Sequence, residues 1–277
     1  MRHLGIRFTF FVTLILLLLV CGICNASPKK DEKSVSSNVF VLATWNIGHF
    51  SYGNKMNSII SAIDYQDKLS QYRSVVYDSI KPDVLCLQEY SRAFGCDRFG
   101  KKRRVSAVFL DSFNTKKEGI QKGYRCNAIY SNAKIKNIRT NSFKSNKQAK
   151  SLAPSATNAY YMSADVFIGK EKITLICLHL AFSKKTSKVA QNQIEELISK
   201  YKTHTRVILC GDWNTSNYKQ LKKAGYILAN NGSLKTFPSR SNALDNIAVK
   251  GLVITDVRMI KSDLSDHYPL VCNISIK

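Results

Sequence analysis

Carboxylates are scarce in this chain of 277 residues: 19 Asp and Glu stand against 42 Lys and Arg, a formal net charge of +23. A surface so short of negative charge favours polyanionic partners such as nucleic acid, an anionic membrane surface or a phosphorylated polymer, and it carries no information about fold. Metal-binding cysteine spacing is missing as well. Beyond the first 26 residues there is no Cys-x-x-Cys pair and no Cys/His cluster, which removes the usual structural zinc sites, and no set of three histidines or cysteines argues for catalytic zinc. Internal repeats and long linkers are absent, so the length suits one large domain or two small ones. The hydrophobic share, 44%, is ordinary for a globular protein with a sizeable core.

The one long apolar run, Phe8 to Val20, is broken only by Thr9 and Thr13 and is short of the ~20 residues a membrane span needs. Arg2 and Arg7 precede it, and Cys24-Asn25-Ala26 offers small residues at signal-peptidase spacing. The expectation is a signal peptide over residues 1–26, a flexible polar leader over 27–37 and a folded domain over 38–277. An uncleaved anchor is the alternative; lipid attachment at Cys21 or Cys24 is disfavoured by Val20 and Ile23, where a small residue is usual. Export implies a secreted or periplasmic protein with no membrane span after processing. Cleavage would remove only two arginines and leave the chain strongly basic. Six cysteines lie beyond the signal. Cys86, Cys177, Cys210 and Cys272 sit in apolar strand-like runs and read as small buried hydrophobes. Cys96 and Cys126 lie in polar stretches, where export would permit a disulfide between them.

Short β-rich runs predict strands at 39–45, 84–87, 105–110, 126–130, 160–168, 173–179, 206–210, 244–249, 253–260 and 270–276. Apolar residues at helical spacing predict a helix from Ile59 to Ile80, stopped by Lys81-Pro82. A second amphipathic helix runs from Lys184 to Lys202, with Val189, Ile194, Leu197 and Ile198 inward, and a shorter one from Tyr218 to Ala224. Many strands with few helices between them imply two packed sheets with helices outside. Two basic stretches, Arg98 to Arg104 and Lys134 to Lys150, read either as solvated loops or as contacts to a phosphate backbone.

Five polar clusters fall at or just beyond the ends of these strands, where such scaffolds place their sites. Asn46, in Thr44-Trp45-Asn46-Ile47, offers an amide oxygen to a hard cation or a phosphate. Glu89, in Leu87-Gln88-Glu89, places a carboxylate at the mouth of the core, of the kind Mg²⁺ accepts. His179, in Leu178-His179-Leu180, could donate a hydrogen bond or a proton to a phosphoryl oxygen. In Gly211-Asp212-Trp213-Asn214 the glycine permits a tight turn out of the strand, and Asp212 and Asn214 can hold one water between them. Ser265-Asp266-His267-Tyr268-Pro269 joins a metal-ligating carboxylate to an imidazole. Asp245, in Leu244-Asp245-Asn246-Ile247, supplies a carboxylate able to fix a histidine tautomer. Each of these also has a plain structural reading, as a turn asparagine, a surface carboxylate or a satisfied core histidine.

Taken in order, the six motifs closely resemble those of the endonuclease/exonuclease/phosphatase (deoxyribonuclease-I-like) superfamily, from about residue 39 to 277. The resemblance implies an α/β (α+β) fold: a four-layer sandwich of two packed mixed β-sheets flanked by helices. It implies a divalent-metal-dependent phosphoesterase with Mg²⁺ or Mn²⁺ as cofactor. Glu89 looks like the principal metal ligand, with Asn46 and Asp266 close by. Asp212 and Asn214 look like the pair that orients and activates water. His179 and His267 look like the imidazoles flanking the scissile phosphate, with Asp245 the partner of His267. Arg125 and Asn127, in Arg125-Cys126-Asn127-Ala128, are similar to the family's phosphate-contacting segment. Asn246 departs from the pattern, since many relatives carry an aromatic or His there, and the expected consequence is a changed pocket rim.

The basic charge favours a nuclease acting on DNA or RNA as a monomer. The alternative is a phosphodiesterase or phosphatase for lipid or sugar-phosphate headgroups, which calls for an exposed apolar loop; residues 92–104 and 141–158 are polar instead. A non-catalytic polyanion-binding protein would lack a catalytic residue, and all the named positions are filled.

Overall fold

A computed structural model describes residues 38–48, 67, 70–91, 103–107, 125–147, 159–182 and 187–276, with only the backbone described at Ser91, at 103–107, at Arg125 and at Cys126. The expected signal, the whole leader, Cys96 and the Cys96–Cys126 pairing lie outside the described residues. No helix among the described residues is long and apolar enough to cross a membrane.

Among the described residues, twelve strands form two six-stranded sheets. The first contains β1 (Val39–Asn46), β2 (Val84–Ser91), β3 (Arg103–Ala107), β4 (Arg125–Ser131), β11 (Val253–Met259) and β12 (Leu270–Ser275), in the order β11-β12-β1-β2-β4-β3. The second contains β5 (Lys134–Ser142), β6 (Tyr160–Ile168), β7 (Glu171–His179), β8 (Val207–Asp212), β9 (Ile227–Leu228) and β10 (Asp245–Lys250), in the order β5-β6-β7-β8-β10-β9. Each sheet is mixed: one parallel pair at its centre, β1–β2 or β7–β8, and antiparallel neighbours elsewhere.

Strand alternation sorts the side chains into two layers. Phe40, Leu42, Val84 and Cys86 of the first sheet pack between the sheets against Leu175, Cys177, Ile208, Cys210, Ile247 and Val249 of the second. The outer face of the first sheet, including Trp45, Leu85 and Tyr130, is covered by helix α1 (residues 70–80) through Tyr72, Val76 and Ile80. The outer face of the second, including Ile176, Leu178 and Leu209, is covered by α2 (Lys188–Lys200) through Val189, Ala190, Ile194 and Leu197. The expected four layers are therefore present. A short helix, α3 (Lys219–Lys223), buries Leu221 beside α2.

Helix α1 ends in a π-helical turn, Val75–Ile80, closed by the Lys81 amide donating to the Val76 carbonyl at 2.8 Å. Lys81 is left-handed (φ 52), and Pro82 then blocks the helix, as its restriction on the preceding residue requires. Cys86, Cys177, Cys210 and Cys272 are free and buried, as expected of them.

The basic stretch from Lys134 is in part a strand, not a loop. Residues Lys134–Ser142 form β5, the edge of the second sheet, with nearly every side chain exposed. A strand wet on both faces has no two-residue apolar period, so nothing in its sequence announces it.

Candidate active site

The five central strands each turn from apolar to polar on their inward face at the same end. On β1 the inward residues run Phe40, Leu42, then Thr44 and Asn46; on β7 they run Ile173, Leu175, Cys177, then His179. On β8 they run Ile208, Cys210, then Asp212, and on β10 Val249 and Ile247 lead back to Asp245. On β2, Val84 and Cys86 lead to Gln88, whose side chain accepts from the Thr44 hydroxyl at 3.2 Å and reaches Cys177 Sγ at 3.4 Å. The result is a polar tier capping the inter-sheet core, at the carboxyl ends of both parallel pairs. Open α/β sheets place their ligand crevices at such ends.

Asp212 is the hub. Its Oδ2 accepts from Asn46 Nδ2 at 3.0 Å and its Oδ1 from the Asn214 amide at 2.8 Å. His179 Nε2 lies 3.5 Å from Asp212 Oδ2 and 3.9 Å from Glu89 Oε1, and His267 Nε2 lies 3.8 Å from Asp212 Oδ2. These imidazole gaps are longer than direct hydrogen bonds and suit a bridging group. On its other nitrogen His267 meets Asp245 Oδ2 at 2.7 Å, a fully buried contact. Burial alone would lower the His267 pKa. The Asp245 and Asp212 charges, the Asp245 hydrogen bond and the Asp266 charge outweigh it and push the imidazole up to about 10. The pair therefore favours an imidazolium facing a carboxylate.

Two of the residues stand in left-handed backbone, Glu89 at φ 51 and Asn214 at φ 49. Non-glycine residues pay for that conformation, and it concentrates at functional positions. The cause at Glu89 is a β-bulge: Gln88 and Glu89 together oppose the single residue Asn127 of β4. The extra residue returns Tyr90 to the outer core and releases Glu89 from the alternation that would have buried it there. At Asn214, the amide bond to Asp212 and the side-chain donation to the Leu180 carbonyl at 2.8 Å hold the turn.

Gly211 does not serve the turn expected of it. It lies within β8, opposite Leu178 in the parallel pair, and an added Cβ would come 1.9 Å from the Leu178 carbonyl oxygen. The glycine lets β7 and β8 approach closely enough to set His179 beside Asp212. Asn246 likewise departs from expectation. Alternation turns it to the face opposite Asp245, where it is fully buried, accepts from the Asn230 and Ile247 amides and donates to the Asn230 carbonyl. It braces the 230–236 loop and leaves the rim untouched. Asn127 donates from Nδ2 to the Tyr160 and Cys177 carbonyls at 3.3 and 3.4 Å. These donors bridge the two sheets, which gives Asn127 a clamping role in the fold. The Arg125 side chain lies outside the described residues.

Several supporting residues carry no sequence signal of their own. The Ser265 hydroxyl donates to the Asn46 carbonyl at 2.6 Å and accepts from the His267 amide at 3.2 Å, and Trp45 Nε1 donates to the His267 carbonyl at 2.9 Å. Thr236 Oγ1 accepts from the Asp245 amide at 3.0 Å, and the Phe237 ring packs 4.8 Å from that of His267. Ser265, inside Ser-Asp-His, and Trp45, inside Thr-Trp-Asn-Ile, were in view from sequence only as neighbours of the named site residues.

Two acidic groupings compete as a cation site. Asp212, Asp245 and His267 each bring an atom within 4.8 Å of the others. A hydrogen-bonded proton already occupies the 2.7 Å gap between His267 and Asp245, which makes that trio proton-handling machinery. The second grouping is Glu89 with Asp266. Burial raises the Asp266 carboxyl above its usual range; the His267 charge opposes this, and the Glu89 and Asp212 charges add to it. Carboxylates crowded in this way fit a hard, oxygen-seeking cation.

A sequence model of the endonuclease/exonuclease/phosphatase family matches residues 43–267. No curated protein sequence matches the chain. Similar folds occur in the endonuclease/exonuclease/phosphatase from Bacteroides vulgatus, which is 15% identical with a TM-score of 0.62 over 86% of this chain and 99% of that one. The human Nocturnin catalytic domain with bound sulfate is 18% identical with a TM-score of 0.61, over 87% and 96%. D. rerio TDP2 complexed with a single-strand DNA product is 15% identical with a TM-score of 0.61, over 86% and 99%.

Proposed function

From the premise that the chain belongs to the endonuclease/exonuclease/phosphatase family and is a hydrolytic phosphoesterase, we propose that it is an exported nuclease cleaving phosphodiester bonds of DNA or RNA with Mg²⁺ or Mn²⁺. The observation that carries the reading is the single polar tier in which Glu89, His179, Asp212, Asp245 and His267 meet.

Glu89 and Asp266 would hold the cation, with Asn46 keeping Asp212 in place beside them. Bound there, the ion supplies charge neutralisation at the phosphoryl oxygens, worth several kcal/mol as a Lewis acid. Asp212 accepts the proton of the attacking water, its second oxygen being fixed by the Asn214 amide. His267, kept protonated by Asp245, donates to a phosphoryl oxygen, and so does His179, also beside Asp212. As the water oxygen bonds to phosphorus, the P–O bond to one sugar oxygen breaks and that oxygen leaves with a proton from solvent. General acid–base groups of this kind contribute roughly 10²–10⁴-fold.

The substrate reading rests on charge. Four of the 19 acidic residues gather in the tier, in a chain that carries 42 basic ones. The negative centre suits a cation and the basic surroundings suit a polyanion. The single-strand DNA bound by D. rerio TDP2 agrees in kind with that substrate class. Export rests on the apolar run of the first 26 residues.

The test is hydrolysis by the purified protein with Mg²⁺ or Mn²⁺ and with EDTA, offering plasmid DNA, RNA, sphingomyelin and inositol phosphates in parallel beside His267→Ala. Metal-dependent nicking that the variant loses supports the proposal. Turnover of the lipid or sugar phosphate with nucleic acid left intact sinks the nuclease reading.

A further inference from the structure

A second polar concavity lies on the outer face of the second sheet, at the end opposite His179. A cavity of about 330 Å³ opens where β5, β6 and β7 pass beneath the C-terminal end of α2. Arg139, Lys172 and Lys200 give it a cationic lining, with His204, Asn141 and Thr174 between them. Thr174 and His179 are five residues apart on β7, roughly 17 Å at the rise of a strand, so the cavity is separate from the polar tier.

The lining groups are held in place. Lys200 Nζ donates to Asn141 Oδ1 at 2.8 Å and to the Tyr161 hydroxyl at 2.6 Å, and it sits 5.0 Å from the centre of the Tyr161 ring. His204 Nδ1 meets the Thr174 hydroxyl at 2.9 Å. A bulge in β5 at residues 137–138 brings Arg139 beside Ser163. One carboxylate, Asp165, also lines the cavity, where it accepts from Asn137 at 2.7 Å; outside it, Glu196 accepts from the Lys144 and Ser145 amides and Glu171 pairs with Arg206 at 2.7 Å. Neither Arg139 nor Lys172 forms an ion pair among the described residues. Lys200 registers the crowding. Burial lowers its pKa; the Glu196 charge opposes this, and the Arg139 and Lys144 charges add to it.

Lysines on an edge strand guard against strand addition, and Lys134 and Lys136 fit that purpose. Arg139, Lys172 and Lys200 differ because they converge on one concavity together with neutral donors. A forked guanidinium, ammonium groups and amides around a pocket are the donor set of a tetrahedral oxyanion. We propose that this cavity is a second, non-catalytic site that binds a phosphate group through Arg139, Lys172 and Lys200. The phosphate can come from a free phosphate or mononucleotide or from the backbone of a nucleic-acid strand. The site stands whether or not the polar tier cleaves nucleic acid.

The test is isothermal titration of the purified protein in EDTA with inorganic phosphate, with adenosine 5′-monophosphate and with a single-stranded DNA 12-mer. The comparison is among wild type, Arg139→Ala, the double variant Arg139→Ala/Lys172→Ala, and Lys222→Ala on α3 as a control for lost charge. A lost charge-assisted bond predicts about a tenfold weaker phosphate affinity for Arg139→Ala and a further loss in the double variant, with Lys222→Ala unchanged. Thermal unfolding checks that the exposed substitutions leave the fold intact. Parallel loss of the 12-mer, with a shallower salt dependence, assigns the site to a strand backbone. Loss of phosphate and mononucleotide with the 12-mer unchanged assigns it to a free phosphate. Phosphate binding that is absent in wild type, or equal in the double variant, overturns the proposal. Metal-dependent turnover of a dinucleotide-sized substrate, measured on the same samples, should not change in the double variant, which separates this site from the active site.

Discussion

In the first sheet the parallel pairing of β1 and β2 ends at Asn46 and Gln88, with Glu89 next along β2; in the second the parallel pairing of β7 and β8 ends at His179 and Asp212. The strand orders follow one pattern, so these pairs occupy equivalent places in the two sheets. The chemistry at the two ends differs. The first sheet presents oxygen ligands, and needs a bulge and a left-handed Glu89 to do so. The second presents the proton-handling groups, and needs Gly211 so that its pair can approach. Among the contacts that join the halves are Asn46 to Asp212 and His267, just ahead of β12, to Asp245. A repeated scaffold thus yields an asymmetric site, because small backbone departures decide what each strand end offers.

Substitution should pull these halves apart. The largest effect is expected from Asp212→Asn, which keeps the shape but removes the hub carboxylate. Steady-state kinetics should show kcat/KM lower by roughly 10³–10⁴-fold, with an unfolding midpoint at or above that of wild type. Gly211→Ala attacks the scaffold of the second half: a Cβ 1.9 Å from the Leu178 oxygen forces β7 and β8 apart. Denaturant unfolding should register a loss of about 3 kcal/mol or more, against about 1–2 kcal/mol for Gly169→Ala, which has open space around it and a left-handed φ of 60. Equal losses at the two glycines would refute the close-approach account.

Asp245→Asn should be milder than Asp212→Asn, lowering kcat by about 10–100-fold, because it acts through His267. The distinguishing measurement is the imidazole titration of His267 by NMR, which should fall when the facing carboxylate is lost; an unmoved titration would argue against the pairing. Glu89→Gln should shift metal dependence more than maximal rate, raising the Mg²⁺ concentration for half activity by about tenfold. A pure loss of rate at unchanged metal requirement would move Glu89 out of the cation-holding half. The smallest effect belongs to Arg139→Ala, remote from both halves, which should leave turnover of a short substrate within about twofold of wild type, as exposed substitutions away from the site usually do.

Strand positions were readable because buried central strands must be apolar and β-rich. The motif residues were readable because they interrupt that pattern at its ends: Asn46, His179, Asp212 and Asp245 are each the first charged or strongly polar inward residue after an apolar run. The cysteines read as core hydrophobes for the same reason and are buried and free. Other features had no local trace. Asn246 looked like a rim residue because its neighbour Asp245 belongs to the site, and only the alternation within β10 sends it to the other face. Asn127 resembled a phosphate contact, and its clamping of the two sheets shows only in the tertiary structure. Strand β5 has no buried face to impose a period, and the cavity beside it is assembled from β5, β6, β7 and the end of α2.

The sequence by itself determined the family, the two-sheet architecture and a set of candidate site residues, since burial and strand ends leave periodic and punctuating marks in a chain. Only the tertiary structure decided which groups touch. The bulge at Glu89, the space that Gly211 leaves, the Asp245–His267 bond and the cationic cavity all depend on register between strands distant in sequence, and that register is set by packing across the sheets, to which local pattern is blind.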